Sequence, residues 1–432
     1  MLSAFTQAFR TPDLRAKLLF TLGIMALFRL GSILPAPGVN LANAKQCIAA
    51  AEDQNLLSLV NVFSGGALLQ LSVFALGIMP YITASIIIQL LRVVIPRFEE
   101  LHKEGQSGTA KLTEYTRYLT IGLGLLQSST IVATAKSGQL FQGCARAQDI
   151  VPGDSIVTPL LIIITMTAGT GLIMWLGELI TERGIGNGMS LLIFTSIVAQ
   201  FPSNMFSIAG GNNGAANFAI IVAVVLLATL AVVYIEQAQR RIPVQYAKRM
   251  IGRRQYGGST TYIPVKINTA GVIPVIFASS ILAMPQLVAG FGNQTSKWVQ
   301  WIMTHLHQTH PIYLTAYGVL ILFFAFFYTA ITFDAEEIAD NMKRYGGFIP
   351  GIRAGEPTVR YLSYVINRIT TAGSIYLVVL ALIPTLAVIG LELSQHLPFG
   401  GTTILIMVGV GLQTVKEVNS QLQQRHYEGF LS

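Results

Sequence analysis

The sequence is short of charge. Only 11% of its 432 residues are Asp, Glu, Lys or Arg, whereas 52% are hydrophobic. A soluble domain carries about 25% charged residues, so this composition could not cover a surface of this size with groups that face water. The low charge therefore excludes an ordinary soluble protein and predicts a membrane protein.

The signatures of common enzymes are also missing. The sequence contains no HExxH, GxxxxGK[ST] or GxSxG, the patterns of zinc hydrolysis, nucleotide binding and a serine nucleophile. All six histidines lie in predicted loops or in the C-terminal tail. The glycine-rich run at residues 184–188 follows no strand, so a tight turn explains it better than a phosphate-binding loop. These absences predict a protein that is not an enzyme and that holds no metal or cofactor.

Cysteine is scarce, since Cys47 and Cys144 are the two in the chain. Both fall in predicted loops on one side of the membrane, and neither has the spacing of a metal ligand. A disulfide between the two loops is possible. We expect two lone thiols instead.

Long apolar runs are abundant. Each is long enough to cross a bilayer core of about 30 Å as a helix. Backbone polar groups inside a bilayer must be hydrogen-bonded within the segment, which makes each run helical. The predicted fold class is an all-α polytopic membrane protein with ten transmembrane helices, at residues 18–34, 73–94, 118–135, 159–179, 189–206, 218–235, 269–288, 312–333, 370–391 and 403–418.

The distribution of basic residues predicts the orientation. Of the 28 Lys and Arg residues, the loops on one side hold only Lys45, Lys136, Arg146 and Lys297. Apart from Arg29 inside the first span, the others lie on the side of the N-terminus. Because cytoplasmic loops carry the excess of Lys and Arg, both termini are predicted to be cytoplasmic.

Ionisable side chains are rare within the predicted spans. Arg29 lies in the first span and Glu178 near the inner end of the fourth. A charge at mid-bilayer costs about 2.5–3.5 kcal/mol on insertion scales, and ion-coupled transporters keep such groups for their relays. Their scarcity argues against a secondary transporter with inverted repeats. That class remains the alternative, because ten spans permit it.

An internal repeat is visible in the second and seventh spans. The sequences GIMPYI at residues 77–82 and GVIPVI at 271–276 share a Gly/Pro interruption, which points to a central pathway between two repeated halves. Proline is common in membrane helices, and this alone could explain the pattern. The alignment pairs Ile78 with Val272 and Ile82 with Ile276. Within each span the two residues are four apart and therefore lie on one helix face. An apolar lining suits a constriction that seals around many different chains.

Two further segments depart from simple connections. The loops at residues 240–267 and 334–368 are basic, longer than orientation requires, and interrupted by Pro and Gly, which favours ordered hairpins and a docking surface. The segment at 55–72 is too short to span. It is either an interfacial helix or a re-entrant segment buried in protein. Its apolar residues follow helical spacing up to a Gly-Gly break: Leu56, Leu59, Val60 and Phe63 precede Gly65 and Gly66.

Five motifs in this order resemble the SecY family. They are NLLSLVNVFSGGAL at 55–68, LGIMPYITASIIIQLL at 76–91, ERGIGNGMS at 182–190, NTAGVIPVIFASS at 268–280 and GGFIPGIRAGEPT at 346–358. The resemblance extends over nearly the whole chain. It implies two pseudo-symmetric halves of five spans, residues 1–207 and 208–432, around a central hourglass pore. It also implies a passive channel that moves unfolded polypeptides across the plasma membrane of a bacterium and releases transmembrane segments sideways into lipid.

The resemblance also implies roles for particular residues. A plug would occupy residues 56–70. Gln89 and Asn268 match polar positions of a lateral gate, where a buried amide pair could bias opening or each could make an ordinary interhelical hydrogen bond. Met189 stands where the family usually has isoleucine. The pore ring would comprise Ile78, Ile82, Met189, Ile193, Ile276 and Ile406.

Partners follow from the same resemblance. The basic loops would dock the motor ATPase SecA or a ribosome, whose RNA supplies phosphates to arginines. Small membrane subunits similar to SecE and SecG would clamp the two halves, and signal sequences would bind at the gate next to membrane lipid. The docking residues implied are Arg249, Arg253, Arg254 and Arg353.

Overall fold

The computed structural model describes residues 9–50, 64–138, 140, 144, 149–151, 156–209, 214–246, 249–251, 254–256, 260–291, 296–306, 310–390 and 401–428. Within these ranges the chain is mostly helical. The helices are α1 (Pro12–Ile33), α2 (Leu41–Ala50), α3 (Met79–Val94), α4 (Pro96–Lys103), α5 (Gln106–Lys136), α6 (Val157–Arg183), α7 (Gly188–Ala209), α8 (Gly214–Gln237), α9 (Ile273–Phe291), α10 (Lys297–His305), α11 (Pro311–Thr332), α12 (Ala335–Arg344), α13 (Glu356–Gly390) and α14 (Gly401–Glu428). The strands are β1 (Gln239–Tyr246), β2 (Arg249–Ile251), β3 (Arg254–Tyr256), β4 (Thr260–Lys266) and β5 (Gly347–Phe348).

The helices match the predicted spans in order and position. Among the described residues, α1, α5, α6, α8, α11 and α13 are long and apolar enough to cross a membrane. Helix α3 meets α4 at a bend of 100°. The apolar parts of α7 and α9, Gly188–Pro202 and Ile273–Gln286, are helical but shorter than those six. Together with α14 they occupy the four remaining predicted positions. The all-α membrane fold is therefore confirmed, and the described helices are consistent with ten spans.

The repeated Gly/Pro element has the same backbone geometry in both halves. Gly77 and Gly271 both adopt positive φ, at 55° and 63°. Pro80 and Pro274 each occupy the second position of their helix, where a missing N–H leaves no hydrogen bond unmade. The second span was predicted to begin at residue 73, but residues 73–78 form turns and α3 begins only at Met79.

Helix packing repeats as well. In the first half α3 packs on α5, α5 on α6, α6 on α7, and α1 on α7. In the second half α9 packs on α11, α11 on α13, α13 on α14, and α8 on α14. The corresponding spans thus make corresponding contacts. The halves meet where α3 and α5 contact α9, and where α7 contacts α8 and α14.

The two long basic loops form one unit. Strand β1 pairs antiparallel with β4 from Gln239 opposite Lys266 to Gln245 opposite Thr260, and its end also pairs with β5 of the other loop. The expected hairpin is confirmed for the first loop, whereas the union of the two loops was not predicted. A separate apolar cluster joins them: Ile242, Val244, Val265, Met342, Ile349, Leu362, Val365 and Ile366.

The expectation of two lone thiols is wrong. Cys47 of α2 and Cys144 form a disulfide, with 5.3 Å between their Cα atoms. The backbone N–H of Asn40 donates to the Ile150 carbonyl at 2.9 Å. The connection between α1 and α2 therefore lies against the connection between α5 and α6. The cysteines are 97 residues apart, and only this packing of two connections brings them together.

Candidate functional site

The six residues expected in a ring all belong to one apolar cluster. Four of them are buried, and Met189 and Ile276 pack against the cluster while partly exposed. They come from both halves, through α3, the residue just before it and α7 in the first, and through α9 and α14 in the second. The buried four are Ile78, Ile82, Ile193 and Ile406.

A close approach of α14 to the start of α9 joins two of these positions. A β-carbon added at Gly409 would lie 2.7 Å from Val272 Cγ2, so only glycine fits there without a shift. Gly409 stands three residues after Ile406, and Val272 four residues before Ile276. Because residues three or four apart share a helix face, Ile406 and Ile276 lie on the two faces that meet.

Met189 is held differently. Its sulfur lies against Gly177 of α6, where there is no room for a β-carbon. Methionine is unbranched and fills irregular space, so this glycine provides the volume that its longer side chain needs. The side chain is therefore packed against α6.

Two helices carry the same order of apolar and polar residues along one face. Positions i, i+4, i+7 and i+11 lie along one face of a helix. In both helices two apolar residues are followed by a serine and a glutamine: α3 carries Ile82, Ser85 and Gln89 after the preceding Ile78, and α7 carries Met189, Ile193, Ser196 and Gln200. The two serines and Gln200 were missed in the sequence analysis, although this spacing was the available signal.

The two glycines of the expected plug lie against the face of α7 that carries Ile193, Ser196 and Gln200. Gly65 and Gly66 adopt positive φ, at 71° and 84°. A β-carbon at Gly65 would lie 3.3 Å from Ser196 Cα, and one at Gly66 would lie 2.9 Å from Gln200 Nε2. The chain at the glycine pair thus packs directly on the helix face that carries Ile193. The other expected plug residues lie outside the described residues: Leu56, Leu59, Val60 and Phe63.

Helix α1 holds the segment that follows the glycine pair. Phe28 stacks on Phe74 with ring centroids 5.8 Å apart, and Gly31 leaves the space that the Phe74 ring occupies. The Arg29 guanidinium donates from Nη1 to the Gly65 carbonyl at 2.7 Å. Beyond α1, the Ala36 amide donates to the Leu71 carbonyl at 3.0 Å. The segment is therefore fastened at several successive points.

The helices of the expected gate lie together, but their two amides do not bond each other. Helix α9 packs on α3, α5 and α11. Gln89 donates to Ser85 Oγ at 3.3 Å within α3. The buried Asn268 donates to Glu236 Oε2 and to the Gly271 carbonyl, both at 3.1 Å. Between these two described side chains the amide pair is not formed, and Asn268 makes an ordinary tertiary hydrogen bond instead.

The expected docking residues lie in the two-loop unit. Arg353 is exposed in the turn before α13, and its carbonyl accepts from the Thr358 hydroxyl at 2.8 Å. Arg249 and Arg254 lie in the paired strands β2 and β3. Arg253 lies outside the described residues.

Two matching half-bundles of apolar helices, with an apolar cluster shared between them and a turn segment packed on α7, define a polytopic helical membrane protein. A family model described as SecY matches residues 72–415. The chain is 62% identical to protein translocase subunit SecY of Streptomyces scabiei over 436 residues, with 100% of both chains covered. It is 56% identical to the subunit of the same name from Mycobacterium bovis, again with 100% of both covered.

Solved structures show the same fold. A protein-conducting channel matches with a TM-score of 0.62 at 20% identity, covering 94% of this chain and 91% of that one. Sec61 from a canine ribosome–channel complex matches with a TM-score of 0.60 at 18% identity, with the same coverage. The chain belongs to the SecY family. It is the channel subunit of a protein translocase rather than an enzyme.

Proposed function

We propose that the chain is a passive conduit for unfolded secretory polypeptides, with its constriction at Ile78, Ile82, Met189, Ile193, Ile276 and Ile406. The observation that carries this proposal is that four of these residues lie in the apolar core that both halves share, while Met189 and Ile276 pack against it. Aliphatic side chains make no specific bonds to a passing chain, and an apolar constriction excludes water and ions when it is empty. Such a ring yields to any sequence and then closes.

The rows of two apolar and two polar residues along one face of α3 and of α7 support an hourglass shape for the pore. In each helix the ring positions are apolar and the next positions on the same face are Ser and Gln. A polar face beyond the constriction suits a wider, water-filled funnel. The ring would then be the narrow waist between two wetted funnels.

The plug is proposed to comprise residues 56–70. Gly65 and Gly66 lie on α7 next to Ser196 and Gln200. Ser196 is three residues from Ile193, which is about 4.5 Å along a helix axis. Gly65 therefore lies within one turn of the proposed ring, and the segment before it could close the path.

The lateral gate is proposed to lie between α3 and α5 on one side and α9 and α11 on the other. Helix α9 contacts both α3 and α5, which is the arrangement expected of a closed gate. Separation of these contacts would open the path to lipid, for a signal sequence or a transmembrane segment. Gln89 and Asn268 would contribute through their present bonds to Ser85 and Glu236.

The proposed orientation places both termini in the cytoplasm and the disulfide on the opposite side of the plasma membrane. Disulfides persist in oxidising compartments and are rare in the cytosol, which agrees with the basic-residue distribution. The two-loop unit would then face the cytoplasm. There Arg353, Arg249, Arg253 and Arg254 would dock SecA or a ribosome, and small subunits similar to SecE and SecG would hold the halves together.

Site-specific photocrosslinking tests the proposed ring. A photoreactive residue at Ile82 should crosslink to a secretory chain stalled in the complete translocase. Ile164 is the control, because it is 59% exposed on the outer face of α6. Crosslinks at Ile82 and not at Ile164 would support the ring. An engaged chain that crosslinks equally at both, or at neither, would contradict it.

A further inference from the structure

Arg29 is an unusual residue for its location. It lies in the second half of α1, a helix that crosses the membrane, and it is half-buried. A charged side chain within a membrane span is costly and persists where it has a function. Among the described residues, Arg29 takes part in none of the three salt bridges, which join Lys103 to Glu99, Arg117 to Glu178 and Arg360 to Glu356. Its hydrogen bond in the described part of the chain goes to a backbone carbonyl.

That carbonyl belongs to Gly65, at the end of the proposed plug. The Nη1–O distance is 2.7 Å, a short bond of the charge-assisted kind. A β-carbon at Gly65 would lie 3.2 Å from the same Nη1 and 3.3 Å from Ser196 Cα. The close approach on two sides and the φ of 71° both favour glycine at this position. Residue 65 is clamped between the guanidinium of α1 and the face of α7 that carries Ile193.

We propose that Arg29 is a positioning residue that latches the plug in the closed channel through the Gly65 carbonyl. This inference rests on the proposed function and adds a residue to it. When the plug leaves, the guanidinium loses its acceptor within the membrane, so the closed arrangement is favoured. Phe28 and Gly31 hold the segment after the plug at Phe74, which keeps α1 in place whether or not the latch is closed.

The main test is the resting ion leak of the complete translocase in proteoliposomes. A hydrogen bond to a charged group shifts an equilibrium by about tenfold or more, and the leak follows the fraction of displaced plugs. We expect Arg29→Gln to raise the leak by about this factor. Arg29→Lys keeps a charged donor and should retain most of the seal. Arg15→Gln, an exposed position on the same helix, is the matched control and should leak like the wild type.

A second variant breaks the same bond while leaving the charge in place. Gly65→Ala brings a β-carbon to 3.2 Å from Arg29 Nη1 at a φ of 71°, and we expect this crowding to weaken the bond to the carbonyl. Gly105→Ala is its control, with a φ of 79° and no atom within 4 Å of an added β-carbon. We expect Gly65→Ala to leak more than Gly105→Ala. We also expect the Arg29→Gln, Gly65→Ala double variant to leak no more than the worse single variant, since both remove one interaction.

Several results would overturn the latch. They are a wild-type leak in Arg29→Gln, additive effects in the double variant, or equal leaks in Gly65→Ala and Gly105→Ala. If Arg29→Gln fails to fold, the comparison of the two alanine variants decides. A wild-type channel that crosslinks to substrate at Ile82 while Arg29→Gln stays sealed refutes the latch alone. Absent crosslinks at Ile82 refute the proposed ring, whatever the leak.

Discussion

Arg117 of α5 and Glu178 of α6 form a two-pronged ion pair. Arg117 Nε lies 2.9 Å from Glu178 Oε1, and Nη2 lies 2.7 Å from Oε2. The glutamate is the more buried partner, with 17% of its side chain exposed against 47% for the arginine. Glu178 was one of the two ionisable residues noted within the predicted spans, and its partner explains how the charge is tolerated: a planar guanidinium satisfies both carboxylate oxygens at once.

The first prediction concerns this pair. Arg117→Met should destabilise the folded protein by about 1 kcal/mol or more, because it leaves a largely buried carboxylate without a counter-charge. Arg117→Lys should recover only part of the loss, since an ammonium cannot bond both oxygens in the same plane. Thermal unfolding in a fixed detergent gives the comparison. A double variant with Glu178→Gln should cost less than the two single changes together, and strict additivity would show that the pair contributes nothing.

The second prediction concerns the disulfide. Cys47→Ser, Cys144→Ser and the double substitution should each lower the free energy of unfolding by about 2–4 kcal/mol, because each removes the same disulfide cross-link. The three variants should therefore agree with one another. Thiol labelling should fail on the untreated protein and succeed after reduction. Labelling of both cysteines without a reductant would contradict the pairing.

The third prediction concerns the contact between α14 and the start of α9. Gly409→Ala places a β-carbon against Val272, and overpacking of this kind costs about 1–3 kcal/mol. The contact lies one turn from Ile406 and Ile276, so the resting ion leak should rise as well. Gly411→Ala is the matched control on the same helix, because an added β-carbon there meets no atom within 4 Å. Equal leak and stability in the two variants would show that the close approach does not matter.

The fourth prediction concerns docking. Arg353→Ala should reduce motor-driven translocation several-fold and leave thermal stability and resting leak unchanged, because the side chain is exposed and only its backbone carbonyl holds the Thr358 hydroxyl. Arg360→Ala is the control. Arg360 is a nearby exposed arginine that bonds Glu356 one turn away on α13. Loss of translocation in both variants would indicate a general charge effect rather than a specific site.

Much of the fold could be predicted because membrane helices satisfy their backbone hydrogen bonds locally. Apolar run length located the membrane-spanning helices, although not the short helices α2, α4, α10 and α12. The repeated Gly/Pro element indicated two matching halves, whose corresponding helices make corresponding contacts. Motifs shared with the SecY family placed the chain in that family, which the comparisons confirmed. The roles of Ile82, Arg353 and the other site residues stay predictions.

Other features arise from contacts between distant parts of the chain. No local pattern links Cys47 to Cys144 across 97 residues, so only the packing of the two connections decides the disulfide. The union of the basic loops depends on two residues of β5 finding the end of β1. Gln89 and Asn268 matched gate positions by motif, but Ser85 and Glu236 lay nearer to them in the folded chain.

The sequence by itself determined that the chain lies in a lipid bilayer, and it determined where the membrane-spanning helices are and in which order they follow. Hydrophobic length and backbone hydrogen bonding act along single segments, so both can be read from the sequence. The tertiary structure decided which polar groups meet. The sequence shows Arg29 only as a charged residue in an apolar helix. In the folded chain the carbonyl of Gly65, 36 residues away, lies 2.7 Å from Arg29 Nη1 and accepts its hydrogen bond. Short-range electrostatic bonds depend on positions to within a fraction of an ångström, and only the packed helices set those positions.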